Sequence, residues 1–310
     1  MIVSVVVPCY NEESTIHLFY DEMIRALKPL METKSVTPEF IFVDDGSGDL
    51  TRAVLRRLAS QDVRVRYIIF SRNFGKEAAL LAGLQKAQGE YIVTIDADLQ
   101  DPPWLVPSMF EAVASGEFDC AGSRRITRKG EPPVRSFFAR RFYRLMKKIS
   151  DIEIVDNARD FRLMSRAYLN AVLSLHERNR FSKGIFPWIG FRVKWFEYEN
   201  VQRIAGETKW SFWRLFLYSL DGIIAFSSKP LAIASWFGIV IFTLSFIFIA
   251  FIIMRKLIFG DPVDGWASTI CIVLFCSGIQ LFTVGILGQY MAKTYTEVKS
   301  RPHYIIQEEK

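Results

Sequence analysis

The chain has 310 residues, of which 50% are hydrophobic and 23% are charged, and its formal net charge is +6 at pH 7. Its mean hydropathy is +0.16, which is high for this share of charged residues. This predicts that the apolar residues are concentrated in separate segments. Residues 230–254 and 265–292 carry no charge, and each run is long enough to cross ~30 Å of hydrocarbon as a helix. We therefore exclude a purely soluble protein, and the positive charge suits an anionic partner or an anionic membrane surface.

The first 120 residues alternate strand patterns with amphipathic helix patterns. Strands that alternate with helices predict a mostly parallel, doubly wound α/β sheet. In such sheets the ligand lies beyond the carboxyl ends of the strands. Polar clusters follow the first, second and fourth predicted strands, so we expect the functional site there. Strands are predicted at 2–8, 40–44, 65–71 and 91–96, and helices at 15–30, 51–59 and 76–87.

Acidic residues close the fourth predicted strand, where Asp96 and Asp98 are followed by Gln100. Residues two apart in an extended chain point the same way, so both carboxylates can reach one cation, with Gln100 supplying another oxygen. Such a set suits Mg²⁺ or Mn²⁺ whose coordination is completed by substrate phosphates. A solvated turn is the usual explanation of two nearby aspartates, but their place at a strand end favours the metal.

A second acidic cluster, residues 44–49, follows the second predicted strand. One aspartate here can accept hydrogen bonds from a base or a ribose, and the small residues beside it let a ligand approach the backbone. An ordinary turn in which Asp49 caps the next helix explains the same residues. Both explanations can hold for different residues of the cluster.

Ten basic residues and one acidic residue, Glu131, lie between Arg124 and Lys148. This excess is too one-sided for ion pairs within a helix, so we expect a surface that binds an anion or faces a membrane rather than a solvated helix face. Nucleic acid is the other natural anion, and two membrane spans make it the weaker choice. We expect no nucleic-acid partner.

The C-terminal third predicts a membrane attachment. A narrow polar stripe at helical spacing predicts an amphipathic helix over 210–229 that lies in the membrane interface, with a core helix of the α/β domain as the alternative. The runs at 230–254 and 265–292 then predict a hairpin of two spans with both termini on one side. Charges near the spans favour the cytoplasm for the termini by a small margin.

Six motifs follow one another along the chain. They are VPCYNE at 7–12, DDGS at 44–47, SRNFGK at 71–76, DADLQDP at 96–102, DFRL at 160–163 and RIAGETKWS at 203–211. Together they resemble glycosyltransferase family 2, and within it the polyisoprenyl-phosphate glycosyltransferases, closest to the bactoprenol glucosyltransferases and akin to dolichol-phosphate mannose synthases. The resemblance spans nearly the whole chain and includes the C-terminal hairpin.

The resemblance implies a GT-A nucleotide-sugar domain over 1–209, an interface helix over 210–229, a hairpin over 230–292 and a cytoplasmic tail over 293–310. It implies transfer of a sugar, with UDP-glucose the favoured donor, to a membrane polyisoprenyl phosphate such as undecaprenyl phosphate, with inversion at the anomeric carbon. Because nucleotide sugars are cytoplasmic, the catalytic domain and both termini are expected on the cytoplasmic face of the inner or plasma membrane. A homo-oligomer is compatible with the sequence.

The resemblance also implies roles for individual residues. The metal would be held by Asp96, Asp98 and Gln100, and Asp160, Asp98 and Arg124 would act in catalysis. The donor would be bound by Pro8, Tyr10, Asn11, Glu12, Asp45, Lys76, Asp96 and Asp98. The acceptor phosphate would be bound by Arg124, Arg135, Arg203 and Lys209.

Asp160 matches a position often proposed as a catalytic base, but the acceptor chemistry favours another role. A phosphate monoester has a second pKa near 6, so at pH 7 it is already nucleophilic and need not lose a proton. Our hypothesis is that Asp160 orients the acceptor site by fixing Arg162 or a neighbouring arginine.

Three alternative functions share part of this sequence pattern. A processive polysaccharide synthase would carry a Gln-x-x-Arg-Trp motif and more spans, and this chain has neither. A transferase for aminoarabinose, an N-acetylhexosamine or mannose would share every motif. A non-catalytic membrane scaffold has no need of the full acidic set, so the intact Asp96, Asp98 and Asp160 count against it.

Overall fold

The computed structural model describes residues 1–126, 155, 157–199, 227, 229–259 and 265–310. The chain divides into two compact units, one formed by Met1–Ser219 with Arg301–Lys310 and the other by Leu220–Ser300. Most of the basic window, most of the predicted interface helix, and Arg135, Arg203 and Lys209 lie outside the described residues.

The first unit contains eight strands and six α-helices among its described residues. All seven elements predicted for the first 120 residues are confirmed to within a few residues. The strands are β1 Ile2–Cys9, β2 Thr37–Asp44, β3 Val65–Phe70, β4 Tyr91–Thr94, β5 Cys120–Arg125, β6 Ala158–Ser165, β7 Val193–Tyr198 and β8 Ile306–Glu309. The helices are α1 Ile16–Lys34, α2 Thr51–Gln61, α3 Lys76–Lys86, α4 Val106–Ala114, α5 Arg166–Ser174 and α6 Ser182–Trp188.

The strands form one sheet in the order β7-β5-β6-β4-β1-β2-β3-β8. Its centre, β4-β1-β2-β3, is parallel as predicted. On one side β6 joins β4 antiparallel, β5 joins β6 antiparallel and β7 joins β5 parallel. On the other side β8 joins β3 antiparallel. The α/β prediction is confirmed, and the sheet is mixed.

Both faces of the central strands are covered, which explains the three consecutive valines at 5–7 in β1. Val5 and Val7 belong to the core that includes Phe19 of α1. On the opposite face α3 packs so closely that a Cβ added at Gly83 would lie 2.3 Å from Val6 Cγ1. The packed centre holds the loops at the carboxyl ends of four parallel strands in fixed positions.

The residues predicted as a tail, 293–310, include the end of the last helix and a short strand. The last helix continues to Lys299, and Ser300 ends it in the left-handed region with φ 50. Residues 306–309 then pair with β3 and become an edge strand of the catalytic sheet. A four-residue strand in which three polar residues follow Ile306 is a weak signal, and its partner lies more than 230 residues away in sequence.

The second unit contains the helices α7, Lys229–Phe259, and α8, Trp266–Lys299. Within them, Leu231–Phe248 and Phe275–Lys299 are long and apolar enough to cross a membrane. Large apolar side chains are exposed along both, for example Phe242 at 72% and Leu281 at 73%. The two long helices match the predicted runs, and their connector at 260–264 lies outside the described residues.

Candidate active site

The loops after β1 and β2 are tied together at the carboxyl edge of the sheet. Asn11, with φ 54, donates its backbone N–H to Ser47 Oγ at 2.9 Å and accepts the Gly48 N–H on its Oδ1 at 2.9 Å. The Glu12 N–H donates to Thr51 Oγ1 at 2.8 Å. Asn11 therefore has a structural role in holding the loops together. The predicted nucleoside-binding residues at the end of β1 are all found there: Pro8, Tyr10, Asn11 and Glu12.

The turn explanation of residues 44–49 is confirmed for its last member. α2 begins at Thr51, and its first N–H donates to Asp49 Oδ1 at 3.0 Å. Asp44 is fully buried and pairs with Arg52 Nε at 3.2 Å. These two carboxylates hold the start of α2, which leaves Asp45 to be considered separately.

Asp45 anchors the loop that leads from β3 to α3. Its side chain is buried, with 4% of the residue exposed, and its carboxylate accepts the backbone N–H groups of Phe74 at 2.6 Å and Gly75 at 2.9 Å. Burial raises the pKa of Asp45, and these two hydrogen bonds oppose the rise. The loops also touch directly, because a Cβ at Gly46 would lie 2.3 Å from the Arg72 carbonyl carbon. Asp45 thus fixes the position of Lys76, which is the last residue of this loop and the first of α3.

Lys76 joins two of the predicted site carboxylates. Its ammonium lies 2.7 Å from Asp96 Oδ1 and 2.7 Å from Asp160 Oδ2. Desolvation lowers the pKa of Lys76, but the charges of Asp160 and Asp96 outweigh this and raise it. For Asp160, desolvation raises the pKa, but attraction to Lys76 and Lys183 lowers it well below the ordinary range. Desolvation raises the pKa of Asp96, and attraction to Lys76 opposes the rise. The Lys76 ammonium thus bridges the two carboxyl groups.

A bulge in β6 places Asp160 in this cluster. Gly122 of β5 pairs with Arg162, and the next pair joins Arg124 to Ala158. Between these pairs β5 has one residue and β6 has three, so Asp160 does not lie opposite Arg124 as a regular ladder would require. Thr94 Oγ1 accommodates the bulge by donating to the Asp160 carbonyl at 2.6 Å. The bulge leaves the Asp160 side chain in contact with Lys76.

A second ion-pair group, which sequence reasoning missed, lies beside the first. Asp101 is fully buried, accepts Arg159 Nε at 3.0 Å, lies 3.8 Å from Arg125 Nη2 and accepts the Tyr198 hydroxyl. Burial raises the pKa of Asp101, but attraction to Arg159 outweighs it and lowers the pKa. Arg159 Nη2 is 3.9 Å from an Asp96 oxygen. Charges of alternating sign therefore run through Arg125, Asp101, Arg159, Asp96, Lys76 and Asp160.

The predicted geometry of the metal residues needs correction. β4 ends at Thr94, so Asp96 and Asp98 lie in a turn rather than in an extended strand. Leu99 adopts φ 55, in the left-handed region, and Ala97, Asp98 and Leu99 are all buried. The two-residue spacing of an extended strand therefore gives no reason to expect the two carboxylates to point the same way.

The individual metal residues already have protein partners. Asp98 Oδ1 accepts the Gln100 N–H at 3.1 Å, and Gln100 Oε1 accepts Arg125 Nη2 at 3.2 Å. Among the residues that the structure describes, no three His, Cys, Asp or Glu side chains converge as a ready-made metal centre. The donor chemistry still fits a divalent cation, because Asp96 already accepts a cationic group and Mg²⁺ is usually held by one or two carboxylates plus substrate phosphates.

Arg124 is at the end of β5, with its side chain 41% exposed and paired with Glu197. An acceptor phosphate at Arg124 would have to compete with that carboxylate.

Arg162 does not contact Asp160 in the way our hypothesis supposed. Its guanidinium is buried and stacks 4.5 Å from the Phe186 ring centroid and 5.0 Å from that of Trp195. The partner of Asp160 is Lys76, a lysine from the donor side.

A family model described as glycosyl transferase family 2 matches residues 4–173. A prophage bactoprenol glucosyl transferase homolog from Escherichia coli (strain K12) is 41% identical over 99% of this chain and 98% of its own length. The bactoprenol glucosyl transferase of Shigella phage SfV is 40% identical over 100% of this chain and 99% of its own. The chain belongs to glycosyltransferase family 2.

Among solved structures, a glucosyl-3-phosphoglycerate synthase from Mycobacterium tuberculosis, in complex with Mn²⁺, UDP-glucose and phosphoglyceric acid, is 22% identical, with a TM-score of 0.46. It covers 72% of this chain and 77% of its own. The family membership shows that this protein is a glycosyltransferase, an enzyme, which excludes the non-catalytic scaffold as its main role.

For a family 2 glycosyltransferase, the charge arrangement has a direct chemical use. Lys76 and Arg159 place two cations beside Asp96 at the strand ends, where the diphosphate of a nucleotide sugar would bring at least two negative charges. The sequence singled out Lys76, Asp96 and Asp160 separately. Their contact, and that of Arg159 with Asp101, joins residues 20 to 84 positions apart and has no local sequence signal.

Proposed function

We propose that this enzyme transfers glucose from UDP-glucose to a membrane polyisoprenyl phosphate such as undecaprenyl phosphate. The relatives named bactoprenol glucosyl transferase support this, because the similarity extends over essentially the full chain, including both apolar helices. The structural observation that carries the proposal is the Lys76 ammonium held between Asp96 and Asp160. Lys76 links Asp96, which would hold the metal at the donor diphosphate, with Asp160, which lies toward the acceptor.

The donor end of the site is built for a nucleoside diphosphate. The nucleoside lies against the ends of β1 and β2, at Pro8, Tyr10, Glu12 and Asp45. Asp96 and Asp98, with the substrate phosphates, would hold Mg²⁺ or Mn²⁺, which would neutralise charge on the departing diphosphate. Lys76 and Arg159 supply further positive charge from the protein itself, and cations held in place beside a leaving group stabilise the negative charge that develops on it.

In the transfer step an oxygen of the lipid phosphate attacks the anomeric carbon of the sugar. A new carbon–oxygen bond forms to that phosphate, the bond from the sugar to UDP breaks, and UDP keeps the electron pair. A single displacement of this kind inverts the anomeric centre. At pH 7 the attacking phosphate is mostly a dianion, so no proton needs to leave it. Asp160 acts by positioning Lys76 and the acceptor rather than as a base.

The acceptor end lies toward the exposed arginine on β5. Arg124 binds the lipid phosphate in place of Glu197, together with Arg135, Arg203 and Lys209. We propose that α7 and α8 span the inner or plasma membrane, with the catalytic unit and both termini cytoplasmic. The exposure of large apolar side chains along both helices supports this, since a core helix of a soluble protein would bury them.

The proposal is tested with membranes from cells that express the full chain. These membranes are incubated separately with radiolabelled UDP-glucose, UDP-N-acetylhexosamine, an aminoarabinose nucleotide and GDP-mannose, and the organic extract is analysed for labelled lipid phosphate. We expect label only from UDP-glucose, and none with Asp96→Asn. Label from only one of the other three nucleotide sugars would identify that compound as the donor instead of UDP-glucose. Label from none of the four would contradict the proposed reaction.

A further inference from the structure

The last ten residues contact the loop that carries Lys76. The Tyr304 ring stacks on Phe70 with 4.9 Å between centroids and 12° between planes. Its hydroxyl donates to Gln85 Oε1 at 2.5 Å. The carbonyl of the next residue, Ile305, accepts the Ser71 N–H at 3.0 Å. The C-terminal segment is thus fastened to the end of β3 and to α3.

These contacts lead directly to the candidate donor site. Phe70 is fully buried and packs edge-on against Phe74, with 5.8 Å between centroids. The Phe74 N–H is one of the two that Asp45 accepts. Gln85 lies near the end of α3, and Lys76 is the first residue of that helix. Tyr304 therefore touches both ends of the segment from Phe70 to Gln85, between which lies the loop that carries Lys76.

We propose that Tyr304 is a positioning residue that fixes the loop of residues 71–76 in its donor-binding geometry. Only the effect on donor kinetics rests on the proposed function, whereas the effect on the loop does not. The aromatic stack covers Phe70, Phe70 supports Phe74, and Phe74 and Gly75 keep their N–H groups on Asp45. Without the stack the loop loses one wall, and Lys76 loses its defined distance from Asp96.

The same segment offers a contact that does not lead to the site. Glu308 of β8 accepts both Arg56 Nη2 at 2.6 Å and the Tyr67 hydroxyl at 2.7 Å. Tyr67 lies three residues before the end of β3, away from the loop. Glu308→Ala therefore loosens the C-terminal segment without removing the wall of the loop, and it serves as the matched control for Tyr304→Ala.

The experiment uses the full chain purified in detergent, with Tyr304→Ala, Tyr304→Phe, Glu308→Ala and Ile305→Ala. The Ile305 side chain is 54% exposed, so its removal leaves the backbone contact in place. Amide hydrogen exchange is measured at Phe74 and Gly75, melting temperature by thermal denaturation, and KM and kcat with UDP-glucose and a polyprenyl phosphate.

Tyr304→Ala should accelerate exchange at Phe74 and Gly75 and raise the KM for the donor about three- to tenfold, as expected for the loss of a buried aromatic contact. The KM for the lipid and kcat should change less than about twofold, and Tyr304→Phe and Ile305→Ala should stay close to wild type. Unchanged exchange in Tyr304→Ala overturns the proposal, as does equal acceleration in Glu308→Ala at a similar melting temperature. Faster exchange without transfer from any nucleotide sugar would support the positioning role while contradicting the proposed function.

Discussion

At the scale of single residues, the pairing of Asp160 with Lys76 decides what Asp160 can do. A general base must take up a proton near the working pH, but the nearby ammonium holds the pKa of Asp160 far below neutrality after desolvation has raised it. The carboxylate is therefore ionised and already bonded to a cation at 2.7 Å. In the proposed reaction, its role is to hold Lys76 between the two substrates.

Asp160→Asn is expected to slow transfer while keeping the pH profile of the wild type above the pKa of the phosphate, near 6. Because Asp160 is ionised throughout that range, its removal leaves the shape of the curve of kcat against pH unchanged. The check is kcat against pH from 6 to 9 with both substrates saturating. Removal of a general base usually costs ~10²–10⁴-fold, and a mutant rate that rises steeply with pH, as hydroxide replaces the base, would contradict the positioning role.

A second residue-scale prediction concerns the metal carboxylates. Asp98→Asn should lower transfer about 10²–10³-fold, since a catalytic cation contributes several kcal/mol of charge stabilisation. The protein should still insert and fold, and EDTA should inactivate the wild type until Mg²⁺ or Mn²⁺ is restored. UDP binding measured by calorimetry with and without metal provides a readout independent of turnover. Full activity in EDTA would exclude Asp96 and Asp98 as metal ligands in catalysis.

At the scale of elements, the close approach of two loops sets the site. Gly46 has φ +71, and a Cβ there would overlap the Arg72 backbone, whereas a Cβ at Gly48 would meet nothing within 4 Å. Gly46→Ala should lower the free energy of unfolding by about 2–4 kcal/mol, from the left-handed backbone and the clash together, and should weaken UDP binding.

Gly48→Ala is the matched control, two residues away in the same loop, and should behave like the wild type. Denaturant unfolding and UDP titration of the purified variants check both. Equal behaviour of the two alanine variants would show that the approach of residues 46 and 72 does not shape the site.

The elements also show what the sequence could and could not predict. The central strands were predictable because β1 to β4 are apolar runs between amphipathic helices, and parallel strands bring their carboxyl ends together without further information. β5 ends in Arg124 and Arg125, and β8 is four residues long, so neither has a clear pattern. The bulge that places Asp160 beside Lys76 depends on pairing between strands whose register no local signal reveals.

At the scale of the whole molecule, the pairing of β8 with β3 limits the ways in which α7 and α8 can cross a membrane. The chain leaves the catalytic unit before α7 and returns to it after α8, because residues 306–309 are hydrogen-bonded to β3. Residues on one sheet must share one side of a membrane. The number of crossings between them is therefore even, and if α7 spans the bilayer then α8 spans it in the opposite direction.

If α7 crosses the membrane as proposed, the pairing of β8 with β3 predicts opposite labelling at two engineered cysteines. In a variant with the four native cysteines replaced by serine, Ile305→Cys should react with a membrane-impermeant maleimide only in inverted vesicles. Asp264→Cys, in the connector between α7 and α8, should react only from outside intact spheroplasts. Ile305 is suited to the test because its side chain is 54% exposed while its backbone keeps its contact with Ser71.

Activity of each variant is the control for folding, since the prediction requires that β8 stays paired with β3. Labelling of both positions from the same side would show that the two helices lie on the membrane rather than cross it, because an odd number of crossings is already excluded by the pairing of β8 with β3.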